Sequence, residues 1–419
     1  MHRHGQSDWR QLLAVFWITS FVEGYGVAQV YAFLPNRLRE VGMAAPDIER
    51  LVGLLGALFF LVGLPLIPLW GVWADKYSRK AVIIRSALVE VAVFSVVAAS
   101  REPWQLIVGV LLVGFQLGNT GVMMAAIRDV TPPHRLGLAM GIFAASSPLG
   151  FGAGPTVGGF MIDQLHMASG SVFGLAAILS AAMALMLAVG SAEVRPEVVP
   201  QGGVLRLAFG AVRGVLSDRI VRWLFVIYGI AFLGRQMALQ YLALFVHEVE
   251  HTPLDVAGSI GLVLGVATIV GAAVSPIGGW VADRVGFRTV LVVAMAGLAV
   301  SFAALPLAPS AAWMAAAYAF AVAFLAAIGA MVSGLLAMEV PPERRSATLN
   351  LIFLPLYLGG IAGPALGSVV VGAGLRSVFY VAALVVAGGV IVTIAFARGA
   401  DGSIGAPPAE LTGRTEPTA

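Results

Sequence analysis

The chain has 419 residues, of which 59% are hydrophobic and 11% charged, and its mean hydropathy is +0.93. A soluble globular protein carries about 25% charged residues, so an ordinary soluble fold is excluded, and the high hydrophobicity excludes a disordered chain. The net charge of +3 comes from short loops between apolar runs, which indicates a loop bias of membrane proteins and no nucleic-acid partner. Cysteine is absent, so neither disulfides nor cysteine-ligated metals are expected.

Twelve apolar runs follow one another along the chain, each close to the length that crosses a hydrocarbon core of about 30 Å. They fall at roughly 11–35, 51–73, 80–100, 104–127, 136–162, 171–190, 222–246, 256–282, 288–308, 311–338, 346–372 and 376–397. The runs are continuous rather than alternating, which favours helices over barrel strands. The sequence therefore predicts an all-α membrane protein with twelve transmembrane helices, numbered here as spans 1 to 12.

The longest polar break, around 191–221, follows span 6 and contains prolines and glycines. It predicts an N-terminal bundle at 1–190, a cytoplasmic linker at 191–221, a C-terminal bundle at 222–398 and a disordered tail at 399–419. Most of the 25 Lys and Arg residues fall on one side if both termini are cytoplasmic. We therefore expect a multi-pass protein of the inner or plasma membrane with both ends inside the cell.

Three sequence patterns occur once in each half of the chain at nearly the same spacing. The first pairs Gly71, Asp75, Arg79 and Lys80 with Gly279, Asp283 and Arg288. The second pairs Gly150, Gly154, Pro155, Gly158 and Gly159 with Gly359, Gly363, Pro364 and Gly367. The third pairs Pro132, Pro133 and Arg135 with Pro341, Pro342 and Arg344. Repeats in the same direction predict two pseudo-symmetric six-helix bundles related by an axis along the membrane normal.

These motifs resemble those of the major facilitator superfamily. The run from Gly71 to Lys80 is similar to the signature of that family between spans 2 and 3, and the run from Gly150 to Gly159 is similar to the signature of its drug/proton antiporters. One position departs, because this group usually carries an arginine in span 4 where the chain has Gly114. The resemblance implies the major facilitator fold and a secondary transporter that works by alternating access.

The leading functional hypothesis is export of small amphiphilic solutes or drugs against inward proton flow. The alternatives left open are a symporter or facilitator for an organic anion, a zwitterion or another metabolite, and a receptor or scaffold that does not transport. No protease, hydrolase or ATP-binding motif occurs in the sequence. We therefore expect a membrane transporter rather than an enzyme, without cofactor or metal, working as a monomer in the lipid bilayer with protons and a small-molecule substrate.

The repeated motifs have mechanical interpretations. Gly150, Gly154 and Gly158 lie four apart on one helix face, where a neighbouring backbone can approach closely, and Pro155 permits a kink. We expect this face, with its counterpart in span 11, to form the seam between the halves. In the resembling family the aspartate after span 2 docks against span 11 and locks the cytoplasmic gate, which makes Asp75 the candidate here, with Arg128 as its expected partner. The full gate prediction comprises Gly71, Asp75, Arg79, Lys80, Arg128, Gly279, Asp283 and Arg288.

Three ionisable residues interrupt the apolar spans, and each costs roughly 2.5–3.5 kcal/mol or more at the centre of a membrane helix. Glu23 lies in span 1 and Arg235 in span 7, which are equivalent in the two repeats. We predict that both face a central cavity at similar depth, with Glu23 accepting the proton or a cation and Arg235 acting as counter-charge or anion anchor. Glu90 in span 3 is interpreted as a structural contact to Arg85 or to a polar group of span 4.

Polar residues near these charges are candidates for the cavity lining, although each could equally form an interhelical hydrogen bond. They are Thr19, Gln29 and Tyr31 in span 1, Gln116 and Asn119 in span 4, and Tyr228, Gln236, Gln240 and Tyr241 in span 7.

Overall fold

The computed structural model describes residues 9–196, 201–207, 210, 213, 217–250, 256–339 and 354–399. In chain order, its α-helices are α1 (Trp9–Glu40), α2 (Ala45–Gly63), α3 (Leu66–Lys76), α4 (Arg79–Ala99), α5 (Pro103–Leu112), α6 (Asn119–Val130), α7 (Leu136–Asp163), α8 (Ser169–Gly190), α9 (Arg219–Val249), α10 (Val256–Val285), α11 (Phe287–Ala304), α12 (Ala311–Glu339), α13 (Leu354–Val370) and α14 (Leu375–Gly399). The described residues contain no strand.

Within the described residues, eleven helical segments are long and apolar enough to cross a membrane, and two of them consist of the pairs α2–α3 and α5–α6. The remaining predicted span, span 8, is α10, which has 30 residues but whose described apolar stretch, Val256–Gly271, is shorter than a full span. The prediction of an all-α membrane protein is confirmed. Together with the eleven segments, α10 completes the twelve predicted helices. The exact domain boundaries stay a prediction.

Two of the spans are broken in their middle. Span 2 breaks at Leu64 and Pro65, because proline lacks the backbone donor that would continue the helix. Span 4 passes from α5 through a short 3₁₀ turn to Gly118, whose φ of 99° is in the left-handed region that favours glycine. Irregular backbone at membrane depth requires other hydrogen-bond partners inside the protein.

Each bundle is held together around a repeated pair of helices. In the first bundle α1 packs against α7 and α8, and α4 packs against α8. In the second bundle α9 packs against α13 and α14, and α12 packs against α10 and α11. The bundles meet mainly where α7 contacts α10 and where α2 contacts α13. This arrangement reproduces the duplication seen in the sequence.

The repeated glycines lie against helices of their own bundle, which corrects the prediction that their face forms the seam. A Cβ at Gly154 would meet the carbonyl oxygen of Tyr25 in α1 at 2.5 Å, and a Cβ at Gly359 would meet the backbone nitrogen of Leu233 in α9 at 2.7 Å. The same holds for Gly150 and Gly158 against α1, and for Gly363 and Gly367 against α9. The motif therefore fastens α7 to α1 and α13 to α9.

The seam between the bundles lies on the neighbouring face of α7. A Cβ at Gly159 would meet the carbonyl oxygen of Ala257 in α10 at 2.5 Å, and a Cβ at Gly261 of α10 would meet the carbonyl oxygen of Pro155 at 2.6 Å. Pro364 has the equivalent position in α13, because its carbonyl oxygen lies against Gly53 of α2. Only Gly159 and the two prolines of the predicted set thus line the contact between the bundles. The glycines spaced four residues apart therefore do not form the seam, which lies on the adjacent face of the same helices.

The two bundles are joined on one side of the molecule. We call the side on which α1 begins and α14 ends the termini side, and the opposite one the far side. On the far side the Nε2 atom of His247 lies 2.7 Å from the Oδ1 atom of Asn36, and the Asp163 carboxylate accepts the backbone N–H of Gly258. These links connect α1 with α9 and α7 with α10.

On the termini side the first bundle has a hydrophobic core of its own. Among the described residues this core includes Leu12, Phe16, Met123 and Phe143 and contains none from the second bundle, whose side chains at 278–280 and 337–353 lie outside the description. The larger core, in contrast, joins residues of both bundles, among them Phe33 and Phe245. Within the described part of the chain, the apolar contact between the halves lies away from the termini side.

Candidate functional site

Glu23 is buried near the middle of α1, with 7% of its surface exposed. The side-chain amide of Asn119 donates a hydrogen bond to its Oε1 atom. Asn119 is the first residue of α6, immediately after the break at Gly118, and a helix N-terminus carries partial positive charge. The break in span 4 thus places both a donor and a favourable helix end beside the carboxylate of span 1.

The cationic neighbour of Glu23 is Arg85 of α4, whose charge acts on the carboxylate without direct contact. The Nη2 atom of Arg85 donates to the carbonyl oxygens of Gln116 and Leu117 at 3.3 and 3.4 Å. Its guanidinium lies 3.9 Å from the ring centroid of Trp70. Arg85 therefore satisfies two carbonyls freed by the helix break and places its charge next to the acid.

The sequence indicated Arg85 only as a possible contact of Glu90 and did not predict its place beside Glu23. The residue lies six positions after Arg79, the first residue of α4, which is about 9 Å into the helix. The signal that could have found it is its spacing from Glu90, one turn deeper in the same span. Gly114 explains why the charge comes from span 3: a Cβ there would meet the carbonyl oxygen of Phe59 at 2.6 Å, so span 4 has no room for an arginine at that position.

Glu90 is fully buried in α4 and is held by two neighbours. The side-chain amide of Gln116 donates to its Oε1 atom, and the Oγ atom of Ser180 donates to its Oε2 atom at 3.0 Å. The expected contact to a polar group of span 4 is confirmed by the Gln116 bond. Glu90 joins α4 to the broken span 4 and to α8, as a structural contact requires.

Arg235 lies near the middle of α9 and is partly buried. Its Nη1 atom donates to the Oε1 atom of Gln236 at 2.6 Å. The guanidinium is 5.9 Å from the ring centroid of Phe151 in α7 and 6.0 Å from that of Phe232 in its own helix. Among the described residues it forms no ion pair with a carboxylate.

Phe151 lies near both Glu23 and Arg235 and allows their depths in the membrane to be compared. Its backbone nitrogen lies 3.2 Å from the Cβ position of Gly24, the neighbour of Glu23, and its ring lies beside Arg235. Glu23 and Arg235 thus lie at comparable depth on opposite bundles, and Tyr357 of the second bundle is an electrostatic neighbour of Glu23. Their roles in a cavity stay predictions.

The remaining predicted lining residues differ in their hydrogen-bond partners. Thr19 and Gln29 are fully buried: Thr19 donates to the carbonyl oxygen of Val15 in its own helix, and Gln29 donates to that of Gly154 at 2.8 Å. The donors of both side chains are thus used within the first bundle, as in the alternative of a hydrogen bond inside the protein, and a role in lining a cavity stays a prediction. Gln116 and Asn119 are directed to the two buried acids.

Three predicted residues of α9 contact the first bundle. The side-chain amide of Gln236 donates to the hydroxyl of Tyr31 at 3.1 Å, and that of Gln240 donates to the carbonyl oxygen of Val52 at 2.8 Å. Tyr241 is fully buried, and its hydroxyl is the nearest atom to the Cβ position of Gly53 in α2. Tyr228 is partly exposed and packs against Phe232, with ring centroids 4.6 Å apart. Tyr31, Gln236 and Tyr228 thus surround Arg235.

The loop motif after span 2 forms a chain of ion pairs within the first bundle. Arg79 is buried and pairs with Asp75 at 2.8 Å and with Asp129 at 2.7 Å. Arg128, the expected partner of Asp75, pairs with Asp129 at 3.0 Å instead. The correction has a simple cause: the turn at Ser78 brings Arg79, at the start of α4, back over Asp75 at the end of α3. A Cβ at Gly71 would meet nothing within 4 Å.

Some of the other predicted gate residues lie in the part of the chain that the structure describes, and some lie outside it. Lys80 donates to the carbonyl oxygens of Ala188 and Ser191 at 2.7 and 2.8 Å, at the end of α8. Arg288 donates to the carbonyl oxygen of Ala397 at 3.4 Å. The surroundings of Gly279 and the side chain of Asp283 lie outside the description, as do the Pro341–Arg344 motif and the beginning of span 11. Docking of Asp75 there stays a prediction.

Residues of the linker are hydrogen-bonded to the loop motif that follows span 2. The Glu193 carboxylate accepts the hydroxyl of Ser78 and, at 2.9 Å, the backbone N–H of Arg79. Lys76 donates to the carbonyl oxygen of Gly202 at 2.7 Å. Sequence reasoning treated Glu193 only as part of a polar break, although an acid that caps a helix N-terminus is a common arrangement.

An apolar groove of about 600 Å³ opens between α1 and α7 on the termini side. It is lined by Trp9, Arg10, Leu13, Ala14, Trp17, Ile18, Arg135, Leu138 and Ile142. Ile18 of this groove is exposed, whereas Glu23, five residues later in α1, is buried and is not part of the lining. Among the described residues no three side chains form a cluster able to hold a metal ion.

A family model of the major facilitator superfamily matches residues 16–260 and 255–416. The chain belongs to the major facilitator superfamily. Among its relatives is the multi-drug resistance efflux pump PmrA of Streptococcus pneumoniae, 27% identical over 390 residues that cover 91% of this chain and 94% of the pump. The multidrug resistance protein MdtG of Proteus mirabilis is 26% identical over 384 residues, again covering 91% and 94%.

Solved structures of the superfamily share the fold at low identity. A POT family transporter superimposes with a TM-score of 0.75 at 12% identity, covering 92% of this chain and 96% of that one. The nucleoside transporter NupG gives 0.70 at 16% identity, covering 92% and 98%. The resemblance stated from the motifs is thereby confirmed, and the protein is a multi-pass membrane transporter rather than an enzyme.

Proposed function

We propose that this protein exports small amphiphilic solutes across the inner or plasma membrane in exchange for protons. Both termini are cytoplasmic in this proposal, so the conformation described, joined on the far side, is the inward-facing state of an alternating-access cycle. The groove between α1 and α7 then offers amphiphiles an apolar surface on the cytoplasmic side. The names of the relatives PmrA and MdtG support drugs among the substrates.

One observation carries the proton assignment: Glu23 is an acid buried near the middle of α1 and bonded to Asn119 at the break of span 4. Asn119 and Arg85 of the first bundle act on it, and Tyr357 lies in the second. Rocking of the bundles changes the distance to Tyr357 while Asn119 and Arg85 move with Glu23. The environment of the carboxylate, and hence its tendency to hold a proton, differs between the two states. The loop motif with Asp75 serves as the cytoplasmic gate in the outward-facing state.

The test is transport in proteoliposomes under an imposed pH gradient, with Glu23→Gln compared with Glu90→Gln. Both substitutions replace a buried acid with its isosteric amide, but the carboxylate of Glu90 faces Gln116 and Ser180 within one bundle. We expect Glu23→Gln to abolish the acceleration of flux by the gradient and to retain exchange of substrate at equilibrium. Glu90→Gln should keep the acceleration. Gradient-driven flux that persists in Glu23→Gln would remove Glu23 from the proton pathway.

A further inference from the structure

Glu23 and Arg235 have separate surroundings, and this affects which substrate the protein can bind. The group that acts on Glu23 is Arg85, in its own bundle. Arg235 therefore has no assigned partner in the first bundle, although a cation at this depth is costly without one. Of the five donor N–H groups of a guanidinium, the described residues engage one, through Gln236.

The surroundings of Arg235 are aromatic and come from both bundles. Phe151 and Tyr31 belong to the first bundle, and their ring centroids are 5.9 Å apart. Phe232 and Tyr228 belong to the second, in an edge-to-face arrangement. The faces of the phenylalanine rings near the guanidinium partly replace its hydration. They leave its outward donors available to an acceptor that the protein does not supply among its described residues.

We infer that Arg235 binds an anionic group of the transported solute, whose flat apolar body packs against Phe151, Phe232 and Tyr228. This inference rests on the proposed function and narrows its substrate class to organic anions and zwitterions with an aromatic or similarly flat body. A guanidinium suits carboxylate, sulfonate and phosphate groups because it donates two parallel hydrogen bonds to two oxygens. Because Arg235 and Phe232 belong to the second bundle and Phe151 to the first, a solute bound here bridges the bundles, and its binding is coupled to their relative position.

Two dyes with the same three-ring core and opposite charge test the inference. Fluorescein is an anion and rhodamine 123 a cation at neutral pH, and both report binding by fluorescence polarisation on the purified full-length protein in lipid nanodiscs. We expect the wild type to bind fluorescein at least about tenfold more tightly than rhodamine 123, the difference typical of a charge-assisted hydrogen bond. Equal binding of the dyes, preference for rhodamine 123 or undetectable binding of fluorescein would overturn the inference.

Substitutions at Arg235 locate the selectivity. Arg235→Gln should weaken fluorescein binding roughly 10- to 100-fold and leave rhodamine 123 binding unchanged or stronger, and Arg235→Lys should restore part of the loss because it keeps the charge. Unchanged fluorescein binding in Arg235→Gln refutes the assignment. The wild-type comparison decides the charge class even if a variant does not fold.

Failure of proton-coupled export and failure of the anion site give different results in these assays. Fluorescein that binds through Arg235 but whose flux ignores a pH gradient refutes proton coupling and leaves the anion site intact. Gradient-driven transport of rhodamine 123 that does not depend on Arg235 refutes the anion site and leaves the exporter intact.

Discussion

Removal of the Arg85 guanidinium should affect both the helix break and the buried acid. In Arg85→Gln the carbonyl oxygens of Gln116 and Leu117 lose a charged donor, and such hydrogen bonds contribute about 1.5–3 kcal/mol. The contact with Trp70 adds about 2 kcal/mol when desolvated. Part of this is recovered because glutamine still donates, so we expect the free energy of unfolding to fall by about 3 kcal/mol.

The assay is reversible unfolding of the purified protein in mixed micelles, followed by tryptophan fluorescence, since Trp70 lies against the substituted side chain. Arg101→Gln, at an exposed position, is the matched control and should change the free energy of unfolding by less than about 0.5 kcal/mol. Glu23→Gln should reduce the cost of Arg85→Gln, because the acid no longer needs the cation. A double-mutant cycle should give a coupling energy of roughly 0.5–3 kcal/mol.

Two outcomes would refute this reasoning. One is an Arg85→Gln variant as stable as Arg101→Gln, which would mean that the freed carbonyls need no donor. The other is strict additivity with Glu23→Gln, which would mean that the acid and the guanidinium do not interact.

Three further changes have defined outcomes. Gly154→Ala should destabilise the protein by about 1–3 kcal/mol through contact with α1, whereas Gly141→Ala in the same helix, where a Cβ meets nothing within 4 Å, should be neutral or stabilising in the same unfolding assay; equal effects would contradict the packing role. Asp163→Ala removes the acceptor of the Gly258 N–H and should shift the population away from the far-side-closed state by roughly 2- to 30-fold, measured by spin-label distances across the far side; an unchanged distribution would exclude this contact as a latch. Glu193→Ala should speed trypsin cleavage of the linker, because it frees the segment from the start of α4, and an unchanged cleavage rate would show that the contact does not hold the linker.

The fold was predictable because its causes are local in sequence. The apolar runs fix the helices and the repeated motifs fix the relation of the bundles, independently of any side-chain contact. The side on which each glycine packs was not predictable, since Gly154 and Gly159 lie in one motif but face different bundles. Hydropathy and spacing do not determine the rotation of a helix against its neighbours.

The candidate site was predictable in part for the same reason. A charge in an apolar run is visible, so Glu23 and Arg235 could be named from composition and depth. Their partners depend on the break of span 4, where Gly118 takes a left-handed conformation and frees two carbonyls. The spacing of Arg85 from Glu90 places it inside span 3, but nothing in the sequence indicates that it turns toward this break.

The close approach of Gly114 to α2 implies a rule of substitution among relatives. Where this position lacks room for a side chain, an arginine beside the break of span 4 has to come from another helix, as Arg85 does here. The two positions should therefore covary, with arginine at one accompanied by a small or neutral residue at the other. A search that requires the arginine in span 4 would then miss transporters that have kept the charge in space while moving it along the chain.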